Sequence, residues 1–123
     1  EMTGEPYYKA MDAPRARDVI EALFRAEIDL VTDPCRPGGC FMIQGALATA
    51  PGSENIRQLM NNMRAEPQKL LAERFDRARS EGDLPADADS KALALEVMSM
   101  ISGVAILSRT GSSREDLETM VRQ

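Results

Sequence analysis

An all-α fold is what this chain predicts, and three observations carry the expectation. Only 4% of its 123 residues are aromatic, and its rich Ala, Leu, Met, Arg and Glu usage favours helix over sheet. Apolar residues recur at three- and four-residue spacing along most of the sequence, which is the period of one helix face. The stretch from Ser90 to Arg109, SKALALEVMSMISGVAILSR, is apolar nearly all round, and such a helix needs partners on several sides. With 43% apolar and 28% charged residues, the composition is that of one ordinary globular domain. A chain of this length buries enough surface to need no disulfide or metal staple.

Taken in order, residues 1–11 hold Gly4, Pro6 and two tyrosines without a usable period. They read as a connector or the end of a preceding helix, with the domain proper over 12–123. Asp12 is a candidate N-cap with Pro14 inside the first turn, opening a helix whose apolar face is Ala16, Val19, Ile20, Leu23, Phe24, Ile28 and Val31. DPCRPGGC ends it. Cys40 to Ala50, CFMIQGALATA, is apolar on almost every side; its alanines favour a short buried helix over a strand. Glu54 to Glu81 is the longest periodic segment, with Pro67 on its apolar face predicting a kink or break near Ala65 to Pro67. Gly82 and Pro85 close that helix.

The central helix then runs from Ser90 to Arg109, capped by Asp87 or Asp89 and ended by Thr110-Gly111. Its side chains divide into one stripe of Leu93, Val97, Met100, Val104 and Leu107 and a second of Ala94, Met98, Ile101 and Ala105, leaving a narrow seam of Ala92, Glu96, Ser99 and Gly103. A membrane span is not expected, because the uninterrupted apolar part is short, Glu96 lies near its middle and neither end is basic. Ser112 and Glu115 have capping-box spacing and open a last helix carrying Leu117, Met120 and Val121. The central helix has more apolar faces than the other helices of a 123-residue domain readily cover, which is the physical motive for a dimer.

The chemistry of the chain is sparse. It has no histidine, so the commonest general base and metal ligand are both missing. Cys35 and Cys40 fall short of a zinc site on their own, and no metal or other cofactor is expected. The carboxylates read as solvated faces and helix caps. One enzymatic alternative remains, a small helical enzyme working through Glu96, and it requires that carboxyl to be buried in a cleft. A net charge of −5 speaks against this segment gripping a phosphate backbone, which calls for a clustered basic face. The start at Glu1, without a basic-then-apolar signal pattern, leads to the expectation of a piece of a longer cytoplasmic protein.

Eight methionines are the more informative inventory. Met42, Met60, Met63, Met98 and Met100 fall on helix faces expected to point inward, where they either fill the core or line a cavity that accepts varied ligands. Gln44, Arg64 and Ser102 are possible polar contacts for such a cavity. Gln44 is the strongest of these, because a buried amide needs a partner from protein, water or ligand. A stand-alone helical interaction module with an exposed apolar face and no cavity is the other reading of the same pattern.

Three motifs carry a family resemblance across nearly the whole chain. Gly39-Cys40-Phe41-Met42 resembles the Gly-Cys-apolar-apolar start of a short buried helix. RFDRARSEGDLPADADSKALA, Arg74 to Ala94, is similar to a junction where a long helix ends and a dimer helix begins. GVAILSRTGSSREDLETMV, Gly103 to Val121, resembles the close of that helix and its hairpin into the last one. Together they resemble the C-terminal domain of the tetracycline-repressor (TetR) family of transcriptional regulators.

The resemblance implies about five helices in an antiparallel bundle and a homodimer made by the last two helices of each subunit. It also implies a pocket for a small, mostly apolar effector, and contact with operator DNA only through an N-terminal helix-turn-helix that this chain lacks. Effector binding in such repressors selects a conformation whose DNA-reading heads no longer match the operator. On that basis the effector-contact candidates are Phe24, Ile28, Gln44, Met60, Met63 and Met98. The dimer candidates are Met100, Val104, Leu107, Leu117, Met120 and Val121.

Overall fold

The computed structural model describes residues 4–33 and 54–123, and among them the chain forms five helices and no strand. These are α1 (Gly4–Ala10), α2 (Ala16–Val31), α3 (Glu54–Ser80), α4 (Ser90–Arg109) and α5 (Arg114–Val121). The helix expected over Cys40 to Ala50, with Cys35, Cys40, Met42 and Gln44, lies outside the described residues. Residues 1–11, read as a connector or the end of a preceding helix, include the seven-residue helix α1.

Helices α3 and α4 pack side by side, α2 lies against both, and α1 and α5 flank α2. Two apolar cores result. In the first, Val19 and Leu23 of α2 meet Leu71, Phe75 and Ala78 of α3 and Ala94 and Val97 of α4, closed by Ala10 and Ala16. In the second, Phe24, Ile28 and Val31 of α2 meet Val104 and Ala105 of α4 and Leu117 of α5. Ile20 and Ile101 touch both, so α2 and α4 form one continuous spine. Removing the Phe75 ring from such a site leaves a cavity that costs about 3–5 kcal/mol.

The helix boundaries show how local chemistry and distant partners share the work. Helix α3 ends in a Schellman motif. Gly82 takes φ +83°, and Asp83 N–H and Gly82 N–H donate to the carbonyls of Ala78 and Arg79 at 2.8 and 3.2 Å. Helix α4 ends the same way, with Gly111 at φ +115° and Ser112 N–H donating to the Leu107 carbonyl at 2.9 Å. Asp89 caps α4, its carboxylate accepting from Ala92 N–H at 3.1 Å. The last helix is capped by Ser113 accepting from Asp116 N–H, one residue later than the Ser112–Glu115 box expected.

Two other expectations are corrected. Asp12 does not cap α2. The helix starts at Ala16 after Arg15, which offers no side-chain cap, and the carboxylate of Asp83 accepts from the Ala16 N–H instead. Pro67 does not break α3, which runs through it as one helix of 27 residues. Helix α4, with 20 residues and a mean hydropathy of 1.5, is long and apolar enough by those measures to cross a membrane. Here it supplies Ala94, Val97, Val104 and Ala105 to both cores.

Candidate functional site

Helix α4 divides its surface differently from the two stripes its spacing suggests. The inward face is Ser90, Ala94, Val97, Val104 and Ala105, while Leu95, Met100, Ile106 and Leu107 stand exposed. The first stripe is therefore split, with Val97 and Val104 inside and Met100 and Leu107 outside. The cause is geometric. At about 100° per residue, Val97 and Val104 lie roughly 60° round the helix from Met100 and Leu107, so the core covers one pair and leaves the other outside.

The outward face of α4 centres on the small seam. Ala92, Glu96 and Ser99 are exposed, and a Cβ added to Gly103 would meet nothing within 4 Å. Leu95 and Ile106 flank this seam on one side, Met100 and Leu107 on the other. Met120 of α5 is likewise exposed. Five large apolar side chains thus share water along the last two helices. Of the dimer candidates, Met100, Leu107 and Met120 lie in this band, at 49%, 43% and 37% exposure. Val104 and Leu117 do not: at 1% and 2% they are spent on the second core against Phe24 and Ile28. Val121 is half-buried against the same core.

The effector candidates are not brought together as a set. Phe24 and Ile28 are buried in the second core with Leu117, and Ile28 also lines a shallow recess with Arg25, Asp29, Arg114 and Glu118. Met98 borders the first core and lies 3.7 Å by its sulfur from the Tyr7 hydroxyl. Gln44 is outside the described residues. Met60 and Met63 belong to the N-terminal part of α3, but their side chains are also outside what is described. Arg64 is exposed and Ser102 half-buried. Glu96 is exposed on α4, so it lacks the burial that the enzymatic alternative requires.

Two residues that sequence reasoning passed over stand out. Tyr7 of α1 donates its hydroxyl proton to the Pro67 carbonyl at 2.7 Å, across 60 residues of chain, and so ties α1 to the wall made by α3 and α4. Burial, and secondarily the neighbouring Tyr8, push its ionisation well above the usual tyrosine range. Glu27 lies on the buried stripe of α2, four residues after Leu23, three after Phe24 and four before Val31. It is half-buried, and its carboxyl is pushed up from 4.5 to about 7 by desolvation. The signal for Glu27 was present in the sequence as a carboxylate interrupting an otherwise apolar face.

The corner between α1 and α2 is held by Arg74 of α3, buried in the fold. Its Nε donates to the Met11 carbonyl at 3.0 Å and its Nη2 to the Ala13 carbonyl at 2.8 Å. On the other flank, Arg114 of α5 reaches Asp29 at 2.6 Å and Glu118 at 2.7 Å, fastening α5 to α2. Ser108 of α4 donates to the Val31 carbonyl at 3.2 Å, satisfying the end of α2.

These features define an all-α domain built on a central apolar helix, pinned at its first corner and bare along its last two helices. The chain belongs to the tetracycline-repressor family of transcriptional regulators: residues 16–123 match its model for the tetracyclin repressor-like C-terminal domain. It is 29% identical over 94 residues to the HTH-type transcriptional repressor ComR of Escherichia coli (strain K12), covering 76% of this chain and 45% of that protein. Its structure is similar to a cysteine-substituted form of the TetR family regulator CifR complexed with 26-base-pair operator DNA, with a TM-score of 0.89 at 30% identity. That likeness covers 98% of this chain and 64% of the CifR chain. A second CifR cysteine mutant on the same operator gives 0.87 at 30% identity, over 97% and 62%. The chain thus spans about half of the curated relative it matches.

Proposed function

We propose that this chain is the dimerising and effector-sensing domain of a transcriptional repressor whose DNA-reading module is a separate helix-turn-helix. The observation that carries the reading is the apolar band of Leu95, Met100, Ile106 and Leu107 around the Gly103 seam of α4, with Met120 exposed on α5. Against a second copy, the band pairs α4 and α5 with their counterparts, and the seam lets two α4 backbones approach closely. Val104 and Leu117 then act behind the interface, as the packed layer that holds the two dimer helices at their angle.

The effector-sensing half of the reading has a different support. It rests on the match of residues 16–123 to the family's C-terminal domain; within that domain Glu27 is a half-buried carboxyl beside the almost fully covered Leu23 and Ile28. Tyr7 ties α1 to Pro67 of α3 and approaches Met98 of α4. An effector that spreads α3 from α4 acts on the Tyr7 contact and shifts α1, and a DNA-reading module joined to α1 moves with it. The closed packing of Phe24 and Ile28 favours a second reading at that end of the domain, a helical interaction module without a cavity.

Sedimentation equilibrium at tens of micromolar (~ the range in which an obligate dimer stays associated) tests the assembly. The wild-type chain is expected to be a dimer and Leu107→Glu a monomer. A monomeric wild type overturns the dimer. A cavity-free module predicts no ligand-dependent shift in melting, whereas the sensing domain predicts one.

A further inference from the structure

We propose that Met98 is an oxidation-sensitive switch: a hydroperoxide converts its thioether to a sulfoxide, and the new oxygen takes the Tyr7 hydroxyl proton from the Pro67 carbonyl. Helix α1 is thereby re-fastened from α3 to α4. This is a property of the domain itself and does not depend on the effector-sensing reading.

The geometry is that of one donor between two acceptors. Tyr7 has a single hydroxyl proton. It goes to the Pro67 carbonyl at 2.7 Å, while the Met98 sulfur stands 3.7 Å from the same hydroxyl. A thioether is a weak acceptor, so the carbonyl holds the bond in the reduced protein. Three helices thus meet at one phenol, with α3 supplying the carbonyl and α4 the sulfur. Among the described residues, Met98 is the one methionine whose sulfur lies within hydrogen-bonding distance of a side-chain hydroxyl. Met100 and Met120 are exposed, so an oxygen added to either is met by water and asks nothing of the fold. Met98 packs against the first core yet keeps part of its surface in water, which gives a small peroxide access to the side chain.

The step balances. A lone pair of the Met98 sulfur attacks the terminal peroxide oxygen, the S–O bond forms as the O–O bond breaks, and the proton of the transferred oxygen passes to the departing one. Sulfur is oxidised by two electrons, and the peroxide is reduced by two to an alcohol, or to water from hydrogen peroxide. The product carries a polar oxygen at the edge of the first core, where an unmet acceptor is costly. Tyr7 is the donor at hand. Sulfoxide reductases return the thioether, which makes the switch reversible.

The test follows the carbon-13 resonance of the Pro67 backbone carbonyl, which registers whether that oxygen accepts the phenol proton. It is read in the full chain before and after hydrogen peroxide, with sulfoxide at each methionine quantified by peptide mass spectrometry. In wild type, conversion of Met98 is expected to shift the resonance in the same direction as Tyr7→Phe shifts it without oxidant. In Tyr7→Phe, oxidation is expected to add no further shift. Met98→Leu, a volume-conserving change, is expected to hold the wild-type resonance through the same treatment while Met100 and Met120 are oxidised. Oxidation is also expected to lower the urea midpoint more in Tyr7→Phe than in wild type, because the variant leaves the sulfoxide oxygen without its donor. A Met98 thioether that survives while Met100 and Met120 are converted overturns the modification site. An unmoved Pro67 carbonyl at full Met98 conversion, a shift that persists in Met98→Leu, or an oxidised wild type that loses its helical circular dichroism overturns the exchange of acceptor.

Discussion

The carboxylate of Asp83, in the turn between α3 and α4, accepts a hydrogen bond from the backbone N–H of Ala16, 67 residues earlier at the start of α2. Arg15, the residue before it, approaches the same carboxylate at 3.8 Å. Helix α2 has no side-chain cap of its own, so its first turn is secured by the turn that leads into α4. Asp83→Ala is expected to cost about 0.5–2 kcal/mol, the usual range for losing a cap. Urea denaturation measures it, and Arg15→Ala, which touches only the exposed ion pair, is expected to stay near wild type.

Tyr7→Phe removes the hydroxyl that bridges α1 to Pro67 and leaves the ring in place. A loss of about 1 kcal/mol is expected. Ultraviolet absorbance titration supplies the second check. The late-ionising tyrosine of the wild type is expected to vanish in this variant, because burial holds the Tyr7 phenol above the usual range.

Glu27 gives stability a pH slope of defined sign. Its carboxyl rises from 4.5 to about 7 on folding, so the folded state holds the proton more tightly than the unfolded one. Its contribution is complete below pH 4.5 and is lost as pH rises through 7. Glu27→Gln stays neutral throughout. The stability difference between the variant and wild type is therefore expected to grow in the variant's favour, by on the order of 2 kcal/mol, from acid to alkaline solution. Urea midpoints on either side of the transition read it.

Val104 and Leu107, three residues apart on α4, differ in burial: the first is closed in the second core and the second is exposed. Val104→Ala hollows the second core and is expected to cost about 1–3 kcal/mol of subunit stability, leaving assembly intact wherever the protein is folded. Leu107→Glu is expected to leave the single subunit near wild-type stability and to separate the proposed dimer. Sedimentation and denaturation run on both variants distinguish the two effects.

What the sequence revealed depended on the reach of the interaction. Gly82, Gly111 and Asp89 act within one turn of their own position, and each is where its residue type predicts. The Asp83 cap of α2 joins residues far apart in the chain, and nothing local to Asp12 or Arg15 announces it. The spacing of α4 established that the helix is too apolar for solvent, but a stripe as wide as that of Leu93, Val97, Met100, Val104 and Leu107 is covered by the core along one edge only, which keeps Val97 and Val104 inside and leaves Met100 and Leu107 outside. Glu27 and Tyr7 were legible in principle. One looked like an ordinary helix charge, and the other sat in a seven-residue helix too short to show a period.

Gly103 gives a single substitution two signs. A glycine inside a helix forfeits about 0.5–1 kcal/mol relative to alanine, and the open space around its Cα means that an isolated subunit gains by accepting a methyl group. Between two α4 helices in close approach, the same methyl group is an obstruction. Gly103→Ala is therefore expected to raise the melting temperature of a monomeric Leu107→Glu background and to weaken association in the wild-type background. That reversal makes one methyl group a reporter of whether the subunit is alone or paired.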